Sequence, residues 1–252
     1  MTRGAAGQPL GRMQAPLVAP SWPLLRESLV GLDLVRLAVE APGLAREPRG
    51  TREPVLVLPG FGASDASTAM LRGFLGWLGY SVRGWGLGTN RGDVRTLVPR
   101  VLDLVRAFSD QTGQRVRLIG WSLGGTLVRE AAREAPERVE RVVTLGTPAV
   151  GGPKYTLMAR FYRGLGEDLD AIEAAIAARE RVPIRVPLTV IYSRGDGVVA
   201  WQACIDHTNP DVEHVEVAST HLGLGFHAEV WRVIARRLAR RRNREGCARP
   251  VG

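Results

Sequence analysis

From Val55 onward the chain alternates short apolar runs with longer amphipathic stretches. The runs are Val55–Leu58, Ser81–Trp85, Val116–Ile119, Val139–Leu145, Leu188–Tyr192 and His214–Val217. Each is too short for a buried helix and suits a buried strand. Between them, Asp65–Leu78, Leu123–Glu134 and Phe226–Arg242 read as helices, and Val94, Leu97, Val98, Val101, Leu102, Val105 and Phe108 trace one apolar helical stripe. Strands and helices in strict alternation predict an α/β fold, a mostly parallel central sheet with helices on both faces. In such sheets the loops after the strands build the functional site, so the residues that follow each run carry the chemistry.

The loop after Val116–Ile119 is Gly120-Trp121-Ser122-Leu123-Gly124-Gly125, and a helical pattern follows it. This is G-x-S-x-G between a strand and a helix. A turn this tight lifts the serine hydroxyl out of the sheet, and side chains two residues to either side would strike the neighbouring strand and helix. The helix that begins there aims its free N–H groups and positive dipole end at the same point. Ser122 is therefore the candidate nucleophile.

Composition narrows the remaining classes. With 252 residues and 45% hydrophobic content the chain suits one large globular domain, not a fibrous or disordered one. No apolar run reaches the ~20 residues of a membrane span, and the N-terminus lacks a signal-like apolar core. Two cysteines, Cys204 and Cys247, give no disulfide framework and fit a reducing, cytoplasmic setting. The net charge is +9, and all basic residues but Lys154 are arginine. Seven arginines lie between Arg232 and Arg244 without an acid. No aromatic interleaving or recognisable module accompanies them, so nucleic acid is not the expected partner. Residues 1–20 read as loosely ordered. A helix is expected from Ser21 to Glu40, with Arg26, Asp33, Arg36 and Glu40 as a narrow polar stripe. Its broad apolar face must pack on the domain, the favoured expectation, or lie on a membrane. In the second case the arginine run would meet anionic lipid. The expected organisation is an N-terminal extension (1–50), the main domain (51–245) with a small cap insert (149–182), and a tail (246–252).

Gly120–Gly125 resembles the nucleophile elbow of the α/β-hydrolase fold, and the likeness runs from about Val55 to Leu238. Leu145-Gly146-Thr147-Pro148 resembles the corresponding stretch of bacterial lipases and lipase-like esterases. The resemblance implies a triad in the chain order Ser, Asp or Glu, His. His221, after the last strand and before the last helix, is the candidate base, with His207 the chief competitor; His214 opens a strand and His227 lies in the final helical pattern. Asp196, in Ser193-Arg194-Gly195-Asp196-Gly197-Val198-Val199 after Leu188–Tyr192, is the candidate orienting acid, with Asp206 and Asp211 as alternatives. Pro59-Gly60-Phe61-Gly62 resembles the family's His-Gly-x-x-Gly element, with Pro59 in place of His. The resemblance thus implies an oxyanion hole built from the Phe61 and Leu123 amides. Trp85, Trp121, Met158, Phe161 and Trp201 are candidates to line an apolar substrate pocket.

The expected function is hydrolysis of carboxylic esters with an apolar acyl group through an acyl-enzyme. No cofactor or metal is required, and the partner is a small-molecule or lipid-like ester. An acyltransferase using the same triad and a non-catalytic binding protein on this fold are the alternatives.

Overall fold

The computed structural model describes Glu27 and residues 30–240. The stretch expected to be loose, most of the first turns of the helix expected from Ser21, and the tail with Cys247 lie outside the described residues. Strands β1 (Pro54–Leu58), β2 (Ser81–Gly84), β3 (Val116–Trp121), β4 (Val139–Leu145), β5 (Leu188–Tyr192) and β6 (Val212–Glu216) form one parallel sheet in the order β2-β1-β3-β4-β5-β6. The chain steps from β1 outward to β2, then crosses back to β3 and continues to β6. The winding therefore reverses between β1 and β3, and at such a reversal two loops part and leave a crevice. The registers Leu58↔Gly120, Trp121↔Leu145 and Leu145↔Ile191 bring the carboxyl ends of the four central strands level.

The helices are α1 (Val30–Leu44), α2 (Ala69–Trp77), α3 (Val94–Thr112), α4 (Leu123–Glu134), α5 (Ala159–Gly164), α6 (Leu169–Glu180), α7 (Trp201–Cys204) and α8 (Ala228–Ala239). Alternate residues of β1 feed two cores. Leu56 and Leu58 join Leu118, Val142, Leu188 and the apolar stripe of α3 on one face. Val55 and Val57 join Ile119, Val143, α2 and α8 on the other. Because both faces are covered, every residue of β1, β3 and β4 is buried, which is why those runs lack a polar-apolar alternation. The α3 stripe is bounded by an Asp93 cap that accepts from Thr96 N–H (3.2 Å) and by Gly113 at φ 63°.

Local competition moves several boundaries. The helix expected from Asp65 opens as one 3₁₀ turn, Asp65–Thr68, before α2. The Asp65 carboxylate is used elsewhere, accepting the Trp85 and Gly86 amides at 2.9 Å each and closing the end of β2. The last helix begins at Ala228, with His227 as its N-cap rather than an interior residue. The single turn α7 has no periodicity to announce it.

Helix α1 packs on α8 through Leu37 and Leu44. Its polar stripe does not simply face water: Asp33 is buried, while Leu32, Val35 and Val39 are exposed. Ion pairs bind this layer together, Arg232 with Glu40 at 2.6 Å and Arg236 with Glu47 at 2.8 Å. Arg237 pairs with Glu213 of β6 at 2.5 Å. The first part of the arginine run thus has acidic partners within the molecule. Among the described residues no helix is long and apolar enough to cross a membrane.

Candidate active site

Ser122 joins β3 to α4 with φ 52° and ψ −120°. For a residue with a side chain this is a strained conformation, and it persists only because the surroundings fix it. The Ser122 N–H donates to Leu145 O at 2.7 Å, and the Thr147 hydroxyl donates to Ser122 O at 2.9 Å. Gly120 and Gly124 have no room for a Cβ. At Gly120 it would strike the Gly124–Gly125 backbone, and at Gly124 it would come within 2.6 Å of the Leu58 and Pro59 carbonyl oxygens. The spacing read from the sequence is therefore a packing requirement between strand, turn and helix. Leu123 opens α4, so its amide has no carbonyl four residues earlier within the helix.

The loops after β5 and β6 bring Asp196 and His221 together, with Nδ1 of His221 2.7 Å from Oδ2 of Asp196. The other carboxylate oxygen accepts the Val198 and Val199 amides at 2.8 and 2.7 Å. Both side chains are almost wholly buried, at 6% and 1% exposure for His221 and Asp196. An ionised carboxylate only accepts, so Nδ1 carries the proton and Nε2 is left as the basic nitrogen. Gly146, at φ 53°, floors this pair: a Cβ there would stand 2.9 Å from Asp196 Oδ2 and 3.0 Å from His221 Nδ1. Trp121, next to Ser122, donates from its indole to His221 O at 3.3 Å and holds the histidine loop against the elbow.

The turn after β1 meets the elbow from the other side. Gly60 lies against Ser122, where a Cβ would be 3.3 Å from Ser122 Cβ. A fully buried Asn90 fixes this turn: its side-chain amide donates to Pro59 O at 3.0 Å, and its backbone carbonyl accepts the Gly62 N–H at 2.8 Å. Nothing in the local sequence of Gly86–Asp93 signals this cross-link. Phe61 then meets α5, its ring 5.7 Å from Phe161 and 6.3 Å from Tyr162. Tyr162 also went unmarked, since its position follows from how the insert folds back. Phe161 is 48% exposed and Met158 half-buried.

Two pocket candidates are engaged in packing of their own. Trp85 is 1% exposed, packs in the core and donates its indole N–H to Gly88 O at 2.9 Å, which leaves it no substrate face. Trp201 stacks on Tyr192 with ring centroids 6.0 Å apart, and the Arg194 guanidinium lies 4.6 Å from its ring centre. The competing residues are also occupied or remote. Asp206 pairs with buried Arg129 at 2.8 Å. Burial alone would raise its pKa, but Arg129 and the Thr208 and Asn209 donors outweigh that and hold the carboxyl well below the usual range. His214 accepts the Asp206 amide at Nε2, and burial pushes its pKa down. His207 and Asp211 are exposed. Cys204 is buried, and its thiol is pushed well up by burial and then by the Asp196 charge. Among the described residues no group of three or more His, Cys, Asp or Glu side chains is placed to hold a metal ion.

The sheet order, the strained serine turn and the carboxylate–imidazole pair at the strand ends define the α/β-hydrolase fold. A family model described as the alpha/beta hydrolase fold matches residues 53–164. Solved structures agree on the fold. A metagenome-derived lipolytic enzyme from the LipS and LipT work is 18% identical with a TM-score of 0.57, over 77% of this chain and 94% of its own. The monoacylglycerol lipase of Paleococcus ferrophilus is 17% identical with a TM-score of 0.54, over 75% of this chain and 96% of its own. The thioesterase domain from the curacin biosynthetic pathway is 13% identical with a TM-score of 0.53, over 75% and 92%. A search of curated protein sequences finds no match.

Proposed function

We propose that the protein is a serine hydrolase that cleaves carboxylic esters with an apolar acyl group. The observation that carries this reading is the 2.7 Å pairing of His221 Nδ1 with Asp196, held beside the strained Ser122 turn. A serine hydroxyl becomes an effective nucleophile only when a base takes its proton. In this reading Ser122 Oγ attacks the ester carbonyl carbon while His221 Nε2 accepts the hydroxyl proton. The carbonyl π electrons move to oxygen, and the Phe61 and Leu123 amides hold that oxyanion. Collapse re-forms the carbonyl and breaks the ester C–O bond, and His221 gives its proton to the leaving alcohol. Water, deprotonated by the same nitrogen, then attacks the acyl-enzyme and releases the acid and Ser122. Asp196 keeps the tautomer and stabilises the imidazolium throughout.

The aromatic contact of Phe61 with Phe161 and Tyr162 supports an apolar acyl group. The fold's likeness to a lipolytic enzyme and a monoacylglycerol lipase agrees with that choice. The test is a fluorophosphonate probe followed by peptide mapping, with a p-nitrophenyl ester series from short to long acyl chains. Stoichiometric labelling of Ser122 and ester turnover that disappears in Ser122→Ala are expected. Labelling at another serine, or full activity in the variant, would remove the reading. Product analysis with an added alcohol distinguishes hydrolysis from transfer of the acyl group.

A further inference from the structure

Glu27 lies three residues ahead of α1, far from the strands in sequence, and is 5% exposed. Among the described residues no cation pairs with its carboxylate. Oε1 accepts the Gly197 amide at 3.2 Å and the His221 amide at 3.0 Å, and Oε2 accepts the Leu222 amide at 2.7 Å. Gly197 directly follows Asp196. One side chain therefore bridges the loop that carries the acid and the loop that carries the histidine, at the backbone of the residues that must stay 2.7 Å apart. Burying a carboxylate is costly unless its oxygens are satisfied, and three charge-assisted bonds to fixed amides satisfy this one. The same segment reaches the histidine loop a second time. Asp33 of α1 is also buried, and its Oδ2 lies so close to Gly223 that a Cβ there would collide with it.

We infer that Glu27 is a positioning residue for the Asp196–His221 pair, clasping both loops by their amides so that the imidazole is presented to Ser122 in one orientation. The inference rests on the serine-hydrolase reading above. A group that acts this way changes turnover rather than substrate affinity, because displacing a catalytic group by about 1 Å costs up to ~100-fold in rate.

The test uses the full chain with Glu27→Ala and Glu27→Gln. Turnover is expressed per fluorophosphonate-labelled Ser122, and residue-resolved amide exchange is followed by NMR. In the wild type the Gly197, His221 and Leu222 amides should exchange slowly. In Glu27→Ala these three should exchange at least ~10-fold faster, and kcat per labelled site should fall about 10–100-fold with KM within about twofold. Glu27→Gln keeps one acceptor oxygen but sets an NH2 group against an amide donor, so it should fall between the two. A purely structural role predicts otherwise: a lower melting temperature and fewer labelled sites, with unchanged turnover at each. That result, or unaltered exchange at the three amides, overturns the inference. If Glu27→Ala does not fold, Glu27→Gln carries the same comparison, and fast exchange of these amides in the wild type is by itself fatal. A wild type that fails to label at Ser122 removes the hydrolase reading instead, and the exchange data still decide whether the clasp exists.

Discussion

The serine, histidine and aspartate sit on three separate loops, and each is held by hydrogen bonds that involve the backbone. Asp196 accepts two amides besides the imidazole, and Ser122 is fixed by Leu145 and Thr147. Residues that act as one unit have non-additive effects. Ser122→Ala and His221→Ala should therefore each lower ester turnover by about 10⁴–10⁶-fold, and the double variant should be hardly worse. His207→Ala should retain nearly full activity, because that side chain is exposed, whereas His221 is buried against Asp196. Steady-state kinetics on a short acyl ester checks both statements, and severe loss in His207→Ala alone would reassign the base.

At the scale of elements, the insert between β4 and β5 folds as a 3₁₀ turn, Gly152–Tyr155, followed by α5 and α6. Phe161 on α5 meets Phe61 ring to ring, and Met158 immediately precedes that helix. Replacing either with alanine should shift the preferred acyl length while leaving the rate on an acetyl ester within about threefold, since an apolar wall contributes ~1–3 kcal/mol per lost contact group on long chains alone. An unchanged chain-length profile in both variants would place the acyl group elsewhere. Helix α1 is the second such element. Deleting residues 1–45 would remove the Glu27 bridge, the Leu37 contact and the Glu40–Arg232 pair together, and would uncover α8. The expected outcome is an insoluble or unfolded product. Vesicle sedimentation of the intact chain should show little salt-dependent preference for anionic lipid, because Arg232, Arg236 and Arg237 already face acids. Strong, salt-sensitive binding that is lost with a soluble, folded truncation would overturn this view of the helix.

For the molecule as a whole, a buried ionic network ties the core to the insert between β4 and β5. Arg129 on α4 pairs with Asp206 at 2.8 Å and Glu180 at 2.9 Å, and Arg133 pairs with Glu180 at 2.8 Å. Burial would lower the Arg129 pKa, but the Glu180 and Asp206 charges outweigh it and raise the value. The same attraction lowers Asp206. A carboxyl depressed in the folded state contributes stability that is fully present above its ordinary pKa of about 4 and fades as pH falls toward its folded value. Thermal melts should therefore hold steady from neutrality down to about pH 5 as far as this site is concerned, then decline below about pH 4. Arg129→Ala leaves the buried Asp206 carboxylate without its cation while Glu180 keeps Arg133, so it should cost about 3–5 kcal/mol at neutral pH. It should also flatten the acid decline, since Asp206 would lose the cation that lowers it. A variant as stable as the wild type would show that the network does not anchor the insert.

The sequence alone determined the parallel alternation, the Ser122 turn and the loops to search, because these are local. A buried strand must be an apolar run, an elbow packed between strand and helix must place glycine at fixed offsets, and loops must follow strands. It did not separate Asp196 from Asp206, or a pocket tryptophan from a core one, because those differences depend on partners distant in the chain. Asp206 is claimed by Arg129, 77 residues away, and Trp85 turns inward because α3 packs over it. Asn90, Tyr162 and Glu27 lay beyond any local pattern for the same reason. A single polar side chain acquires its role from the backbone amides and rings that face it, and only the tertiary packing of separate loops chose those neighbours.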